Sequence, residues 1–107
     1  MGLADDGIPQ SHDFSARKAD RVAVNAEVSL RRPGQNHYRA RAYDASPLGC
    51  KLEFVERPEL AERVWVKFDG LEAIEGQVCW VNGFVVGVEF ARPMYQPVFD
   101  ALAARLA

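Results

Sequence analysis

Apolar residues occupy every second position from Val22 to Leu30, with mostly polar residues between them, and this is the first regular pattern along the chain. Side chains of a β-strand point alternately to opposite faces, so this pattern predicts a strand with one buried face. Five further segments have strand-like composition and are bounded by turn residues. They span residues 38–43, 50–55, 64–68, 73–81 and 84–91.

A helical period follows the last of these segments. Val98, Phe99, Leu102 and Leu106 recur at helical spacing after Pro97, a residue well suited to the first turn of a helix. Six short strands followed by one helix predict an all-β fold with a C-terminal helix, in outline a small antiparallel barrel. Alternation alone does not distinguish such a barrel from a two-sheet sandwich.

The same pattern assigns side chains to the inside and the outside. Ala40 and Ala42 share one strand face, where small residues suit the interior of a tight barrel. Cys50 alternates with polar neighbours and is expected in the core as a small hydrophobe. Arg31 and Arg32 precede a Pro-Gly turn and are predicted to be a solvated pair at a hairpin tip.

A second hairpin is predicted around Asn82-Gly83, a dipeptide that strongly favours a tight turn between strands. Trp80 on the first arm and Phe84 on the second arm are predicted to face the core. For Trp80, the alternative is an exposed indole that stacks on a base.

Length and composition limit the class of protein. A chain of 107 residues with 49% hydrophobic content predicts one globular domain. We assign that domain to residues 16–107 and a flexible N-terminal tail to residues 1–15, which lack periodicity. No apolar run approaches the length of a membrane span, and the start of the chain lacks signal-peptide features. We therefore expect a cytoplasmic protein without membrane insertion.

Charge is distributed unevenly along the chain. The net charge is −2, yet residues 16–51 hold eight lysines and arginines against three acids, for a net charge of +5. Such a region attracts a small anion, whereas a protein that is acidic as a whole is a poor candidate for binding a nucleic acid polymer. The two cysteines and two histidines lack metal-ligand spacing, and no cysteine or serine is paired with a recognisable base. We expect no metal, no cofactor and no enzymatic activity.

The candidate chemistry lies in the turn between the second and third predicted strands, residues 44–49. Pro47 and Gly49 suit positions i+1 and i+3 of a type I turn, and Ser46 is a favoured first residue. Asp44 and Ser46 are two residues apart, so their side chains point the same way in an extended chain. The turn therefore offers a carboxylate and a hydroxyl beside a glycine backbone that a flat polar ligand can approach. The same residues are common in turns that bind nothing.

A second short motif lies about 25 residues upstream, where Arg17 and Arg21 are spaced Arg-x-x-x-Arg. This motif, followed by Asp-x-Ser-x-x-Gly in the turn, resembles the two motifs of the PilZ domain family. The resemblance covers roughly residues 16–106 and includes the late strand segments 76–80 and 87–90. The family fold is a six-stranded antiparallel β-barrel capped by one α-helix, so the resemblance implies a barrel rather than a sandwich.

Many members of that family are receptors for the bacterial second messenger cyclic di-GMP, and the resemblance implies this ligand. It also implies a ligand-binding set of Arg17, Arg21, Asp44, Ser46 and Gly49. Their chemistry suits the ligand, because an arginine fork matches a phosphate or the O6/N7 edge of guanine. A carboxylate suits the opposite edge, where N1–H and the amino group donate.

A signalling mechanism follows from where the motifs lie. Arg17 and Arg21 belong to a lead-in expected to be flexible, whereas the turn is fixed on the predicted barrel. A ligand that contacts both would order the N-terminal segment and present a new surface to a downstream partner protein. Lys51, just past the turn on the outward face, is a cation within reach of such a ligand. Ala16 stands where some family members have another arginine, which leaves the ligand stoichiometry open.

Two other functions are compatible with this pattern. The first is a PilZ-like protein-interaction adaptor that does not bind nucleotide. The second is a small-barrel nucleic-acid binder, which the net acidity and the expected core positions of the aromatics disfavour.

Overall fold

The computed structural model describes residues 21–34, 37–53, 56 and 58–106. Its elements are β1 (Val22–Arg31), β2 (His37–Ser46), β3 (Gly49–Glu53), β4 (Arg63–Lys67), β5 (Ile74–Asn82), β6 (Val85–Phe90) and α1 (Gln96–Leu106). The strands pair antiparallel and close into a barrel in the order β1-β2-β3-β6-β5-β4. The predicted six-stranded antiparallel barrel with one C-terminal helix is confirmed.

The core fills the interior of the barrel, as the alternation of strand side chains predicts. Ala40 and Ala42 face inward together with Cys50, and their small volume suits a narrow interior. Helix α1 adds Phe99 and Leu102, and Leu106 packs against this core, whereas Val98 of the predicted apolar stripe is exposed. The larger buried strand side chains are Val24, Val28, Leu30, Leu52, Val64, Val66, Val78, Val86, Val88 and Phe90.

The β5–β6 hairpin differs from its prediction by one residue. Asn82 pairs with Val85, so the two-residue turn consists of Gly83 and Phe84 rather than Asn82 and Gly83. Gly83 has a φ of 64°, and a type II′ turn takes glycine at its first central position. Phe84 therefore lies at the tip of the hairpin, where it is 58% exposed. Its predicted core position was wrong.

A bulge in β5 places Trp80 on the outside of the barrel. The register pairs Trp80 with Gly87 and leaves Cys79 as the extra residue on β5. The neighbours of Gly87 on β6 point into the barrel, so Gly87 itself faces outward. A Cβ at this position would lie 2.1 Å from the indole Nε1 of Trp80, so the indole rests on the outer surface over Gly87. The predicted core position of Trp80 was wrong, and Val81 packs against the core instead.

The two arginines at the end of β1 are not a solvated pair, contrary to the prediction. The Arg31 guanidinium lies 4.0 Å from the centroid of the Trp65 ring. Arg32 donates two hydrogen bonds to the Glu62 carboxylate, at 2.7 and 2.9 Å, in a bidentate ion pair. These bonds raise the pKa of Arg32 and lower the pKa of Glu62. Both arginines therefore stabilise the end of the barrel where β1 meets the start of β2.

Candidate functional site

The motif turn, as we call residues 44–49, comprises the last three residues of β2, the two-residue connection and the first residue of β3. Ser46 pairs with Gly49, which leaves Pro47 and Leu48 at the central positions of the turn. The Leu48 amide donates a 3.0 Å hydrogen bond to the hydroxyl oxygen of Ser46, a side chain that is fully buried. This bond stabilises the turn, and the burial of Ser46 keeps its hydroxyl away from the surface on which the Asp44 carboxylate lies.

Backbone hydrogen bonds attach the motif turn to the last strand and to the segment before the helix. The Phe90 amide donates to the Leu48 carbonyl at 2.8 Å, and the Met94 amide donates to the Pro47 carbonyl at 2.7 Å. The turn is therefore held on the barrel by its neighbours as well as by its own strands. A ligand that contacts the turn also lies close to the segment that leads into α1.

Asp44 and Lys51 form an ion pair on the outer surface, next to the motif turn. The Lys51 Nζ lies 3.1 Å from Asp44 Oδ2, and the two residues are register partners on β2 and β3. Their side chains are 34% and 26% exposed. A pair with this exposure is worth about 0–1 kcal/mol, so either group can exchange its partner for a ligand at little cost. The predicted outward position of Lys51 is confirmed.

These two residues belong to a row of outward-facing positions that crosses four strands. Lys51 pairs with Gly87, and Gly87 pairs with Trp80. We call Asp44, Lys51, Gly87 and Trp80 the outer row. It presents a carboxylate, an ammonium group and an indole side by side on one surface. The sequence prediction favoured a core position for Trp80 and kept the exposed indole as the alternative, although a glycine inside a strand often marks the close approach of another group.

Arg21, the second arginine of the motif, lies directly before β1. Ala23 pairs with Asp44. Arg21 precedes Ala23 by two residues and is exposed, so it lies on the outside of the barrel at the end where the motif turn is. The structure thus brings Arg21, Asp44, Ser46 and Gly49 to one end of the barrel. Arg17 lies outside the described residues.

The cysteines do not add a nucleophile to this surface. Cys50 is buried in the core, and the Cys79 thiol donates to the carbonyl oxygen of Gly87 at 3.3 Å. Burial raises the pKa of both thiols, and that of Cys79 reaches about 12, with the charge of Glu89 as a second cause. Both thiols are therefore protonated near neutral pH, the unreactive form.

The histidines, cysteines and acidic residues in the described part of the chain form no group of three or more that could hold a metal ion. Within residues 21–106, as far as they are described, no helix is both long enough and apolar enough to cross a membrane.

Comparison with protein families identifies the barrel and its helix. Residues 15–106 match the PilZ domain, a range that includes both motifs, the whole barrel and the C-terminal helix. No curated protein matches the sequence. Because the match spans nearly the whole chain, the protein belongs to the PilZ domain family.

Proposed function

We propose that this protein is a cytoplasmic receptor for cyclic di-GMP, which it binds between the arginine motif and the motif turn. Membership of the PilZ family supports a receptor of this class. The observation that carries the proposal is the pairing of Ala23 with Asp44, because Arg21 precedes Ala23 by two residues and so lies at the same end of the barrel as the turn. The proposed activity is binding without catalysis.

Each group in the proposed site has a distinct role in binding. The Asp44 carboxylate accepts hydrogen bonds from N1–H and the amino group of one guanine. Arg17 and Arg21 hold a phosphate or the O6/N7 edge with their planar forks. Ser46 is fully buried and supports the site by holding the turn through its bond with the Leu48 amide, and Gly49 places no side chain between the ligand and the backbone.

The outer row extends this site across the barrel. When a guanine takes the Asp44 carboxylate, the Lys51 ammonium group can turn from that carboxylate to a ligand phosphate. The Trp80 indole supplies an aromatic surface on which a base can stack, an interaction worth about 1–3 kcal/mol per base. In this proposal Trp80 stacks on a base, the role that the sequence offered as the alternative to a core position.

Signal output in this proposal depends on the N-terminal segment. A ligand held by Arg17 and Arg21 on one side and by the motif turn on the other fixes residues 10–21 against the barrel. The resulting surface, made of ligand and ordered chain, is what a downstream protein binds. Amide hydrogen exchange tests this step: residues 10–21 exchange more slowly with ligand, and unchanged exchange there contradicts the mechanism.

Isothermal titration of cyclic di-GMP into the wild-type protein tests the proposed function. One charge-assisted hydrogen bond is worth about 1.5–3 kcal/mol, so Arg21→Ala should weaken binding by about 10- to 100-fold. Arg39→Ala is the matched control: it removes the same charge from a side chain that is 87% exposed and pairs only loosely with Glu27, at 3.5 Å. Saturable binding that survives in the control supports the receptor. No binding by a folded wild-type protein favours the adaptor function instead.

A further inference from the structure

An open groove of about 380 Å³ lies on the outer surface of β4, β5 and β6, next to the motif turn. Its polar side chains are Arg63, Glu75, Gln77 and Glu89. Gly49 pairs with Glu89, Glu89 with Gln77, and Gln77 with Arg63. The groove therefore continues the motif turn sideways across three strands, and Gly49 places no side chain between the two.

The polar groups of this groove are open to a ligand. The Arg63 guanidinium and the Glu75 carboxylate are 3.3 Å apart, and their side chains are 66% and 47% exposed, so the pair can open at little cost. The Gln77 amide donates to the Ala61 carbonyl at 3.2 Å, which leaves its own oxygen as an acceptor. The Glu89 side chain is exposed and forms no ion pair with any residue that the structure describes.

Cyclic di-GMP has two guanines, and Asp44 accounts for only one of them. Guanine carries donors on one edge and the acceptors O6 and N7 on the other. Glu89 and Arg63 lie two strand spacings apart, about 10 Å between their Cα atoms, with Gln77 between them. A base lying over Gln77 thus faces a carboxylate at its donor edge and a guanidinium at its acceptor edge.

We propose that this groove is the subsite for the second guanine, where Glu89 accepts from N1–H and the amino group while Arg63 donates to O6 and N7. The inference rests on the proposed function. Asp44 and Glu89 are separated by two strand spacings, about 10 Å, and by about 7 Å along the strands. The sugar–phosphate ring of the ligand spans this distance above Gly49 and Lys51.

The charges of the two regions orient the ligand. Glu89 repels phosphate, whereas Lys51 and Arg21 attract it, so the phosphates lie on the side of the arginine motif. Adenine has no N1–H and cannot offer two donors to the Glu89 carboxylate. A base that leaves this carboxylate unmatched loses affinity, so the groove selects guanine over adenine.

The test compares cyclic di-GMP with the hybrid 3′,3′-cyclic GMP–AMP, which offers one guanine to Asp44 and one adenine to the groove. Titration calorimetry is run on the wild type and on Glu89→Gln, whose amide both donates and accepts. The matched control is Glu72→Gln, the same substitution at an exposed position outside the groove. Thermal melting of each variant verifies that it is folded.

The wild type should prefer cyclic di-GMP over the hybrid by about tenfold or more, and Glu72→Gln should keep this preference. Glu89→Gln should reduce the preference to about threefold or less, mainly because cyclic di-GMP binds more weakly. An unchanged preference in Glu89→Gln, or no preference in the wild type, overturns the second guanine subsite. Failure of the wild type to bind cyclic di-GMP at all instead overturns the proposed function.

Discussion

Replacing Gly87 by alanine displaces the Trp80 indole without touching the predicted ligand contacts of the motif turn. The new Cβ would lie 2.1 Å from Nε1 and 2.4 Å from Cε2 of the indole. The β6 backbone is held by β3 on one side and β5 on the other, so the ring has to move. Restoring a separation of about 3.5 Å requires a displacement of at least about 1.4 Å.

The expected effect on stability is small. The half-buried indole loses contacts worth about 1 kcal/mol, less than the value for a fully buried side chain. Removing a glycine from a strand interior returns about 0.5–1 kcal/mol. The free energy of unfolding should therefore fall by no more than about 1 kcal/mol, a decrease in Tm of at most about 8 °C.

The effect on ligand binding should be larger. If a guanine stacks on the indole, displacing the indole removes a stacking interaction worth about 1–3 kcal/mol. Gly87→Ala should then weaken binding of cyclic di-GMP by about tenfold. Titration calorimetry measures the affinity, urea denaturation measures the stability, and NMR follows the two indole N–H signals of the protein.

A double-mutant cycle with Trp80→Ala provides the control. When the indole is absent, the added methyl group displaces nothing, so Gly87→Ala should leave the affinity unchanged within about 0.5 kcal/mol and should raise the free energy of unfolding by about 0.5–1 kcal/mol. Equal losses with and without the indole would refute both the placement of Trp80 over Gly87 and its role in binding.

Two further substitutions test other contacts. Glu62→Gln removes the charge that Arg32 binds and should cost about 1–2 kcal/mol of unfolding free energy at pH 7. Arg32 lowers the pKa of Glu62, so the ion pair stabilises the folded wild type fully when the pH is above 4.5, the ordinary pKa of a glutamate. This stabilisation is lost as the pH falls through the pKa of Glu62 in the folded state. Urea denaturation of the wild type and the variant at pH 7 and at about pH 3 measures this. An equal difference in unfolding free energy at the two pH values contradicts it. Ser46→Ala leaves the Leu48 amide without its acceptor and should cost about 1 kcal/mol in the same assay; no loss contradicts the turn bond.

The sequence predicts the local features of this fold, such as which strand residues face the interior. The sequence predicts Ala40, Ala42 and Cys50 inside the barrel, because each lies in a short segment where every second side chain is buried. The closure of the sheet was not readable in this way. It depends on pairing between β1 and β4, which are distant in sequence, and only the family resemblance implied it.

The two errors at the aromatics have physical causes. The segment from Val78 to Val81 is apolar throughout, so its pattern does not reveal the bulge at Cys79 that reverses which side chains face inward. The error at Phe84 arises because glycine suits the second central position of a type I′ turn and the first central position of a type II′ turn.

The sequence predicts only the local part of the proposed site. The residue types of Asp44, Ser46 and Gly49 predict a turn, and the family resemblance implies their role in binding. Trp80 and Glu89 reach the same surface through the pairing of β3 with β6 and of β6 with β5, which no short motif encodes.

The most direct test of the central claim is NMR mapping of cyclic di-GMP on the ¹⁵N-labelled protein. We expect the largest amide shift changes at the motif turn, at Lys51 and along the outer row to Gly87. Amides of the Gly83-Phe84 tip and of the exposed face of α1 should change little. Changes confined to the tip or the helix, or no changes at a large excess of ligand, would contradict the account.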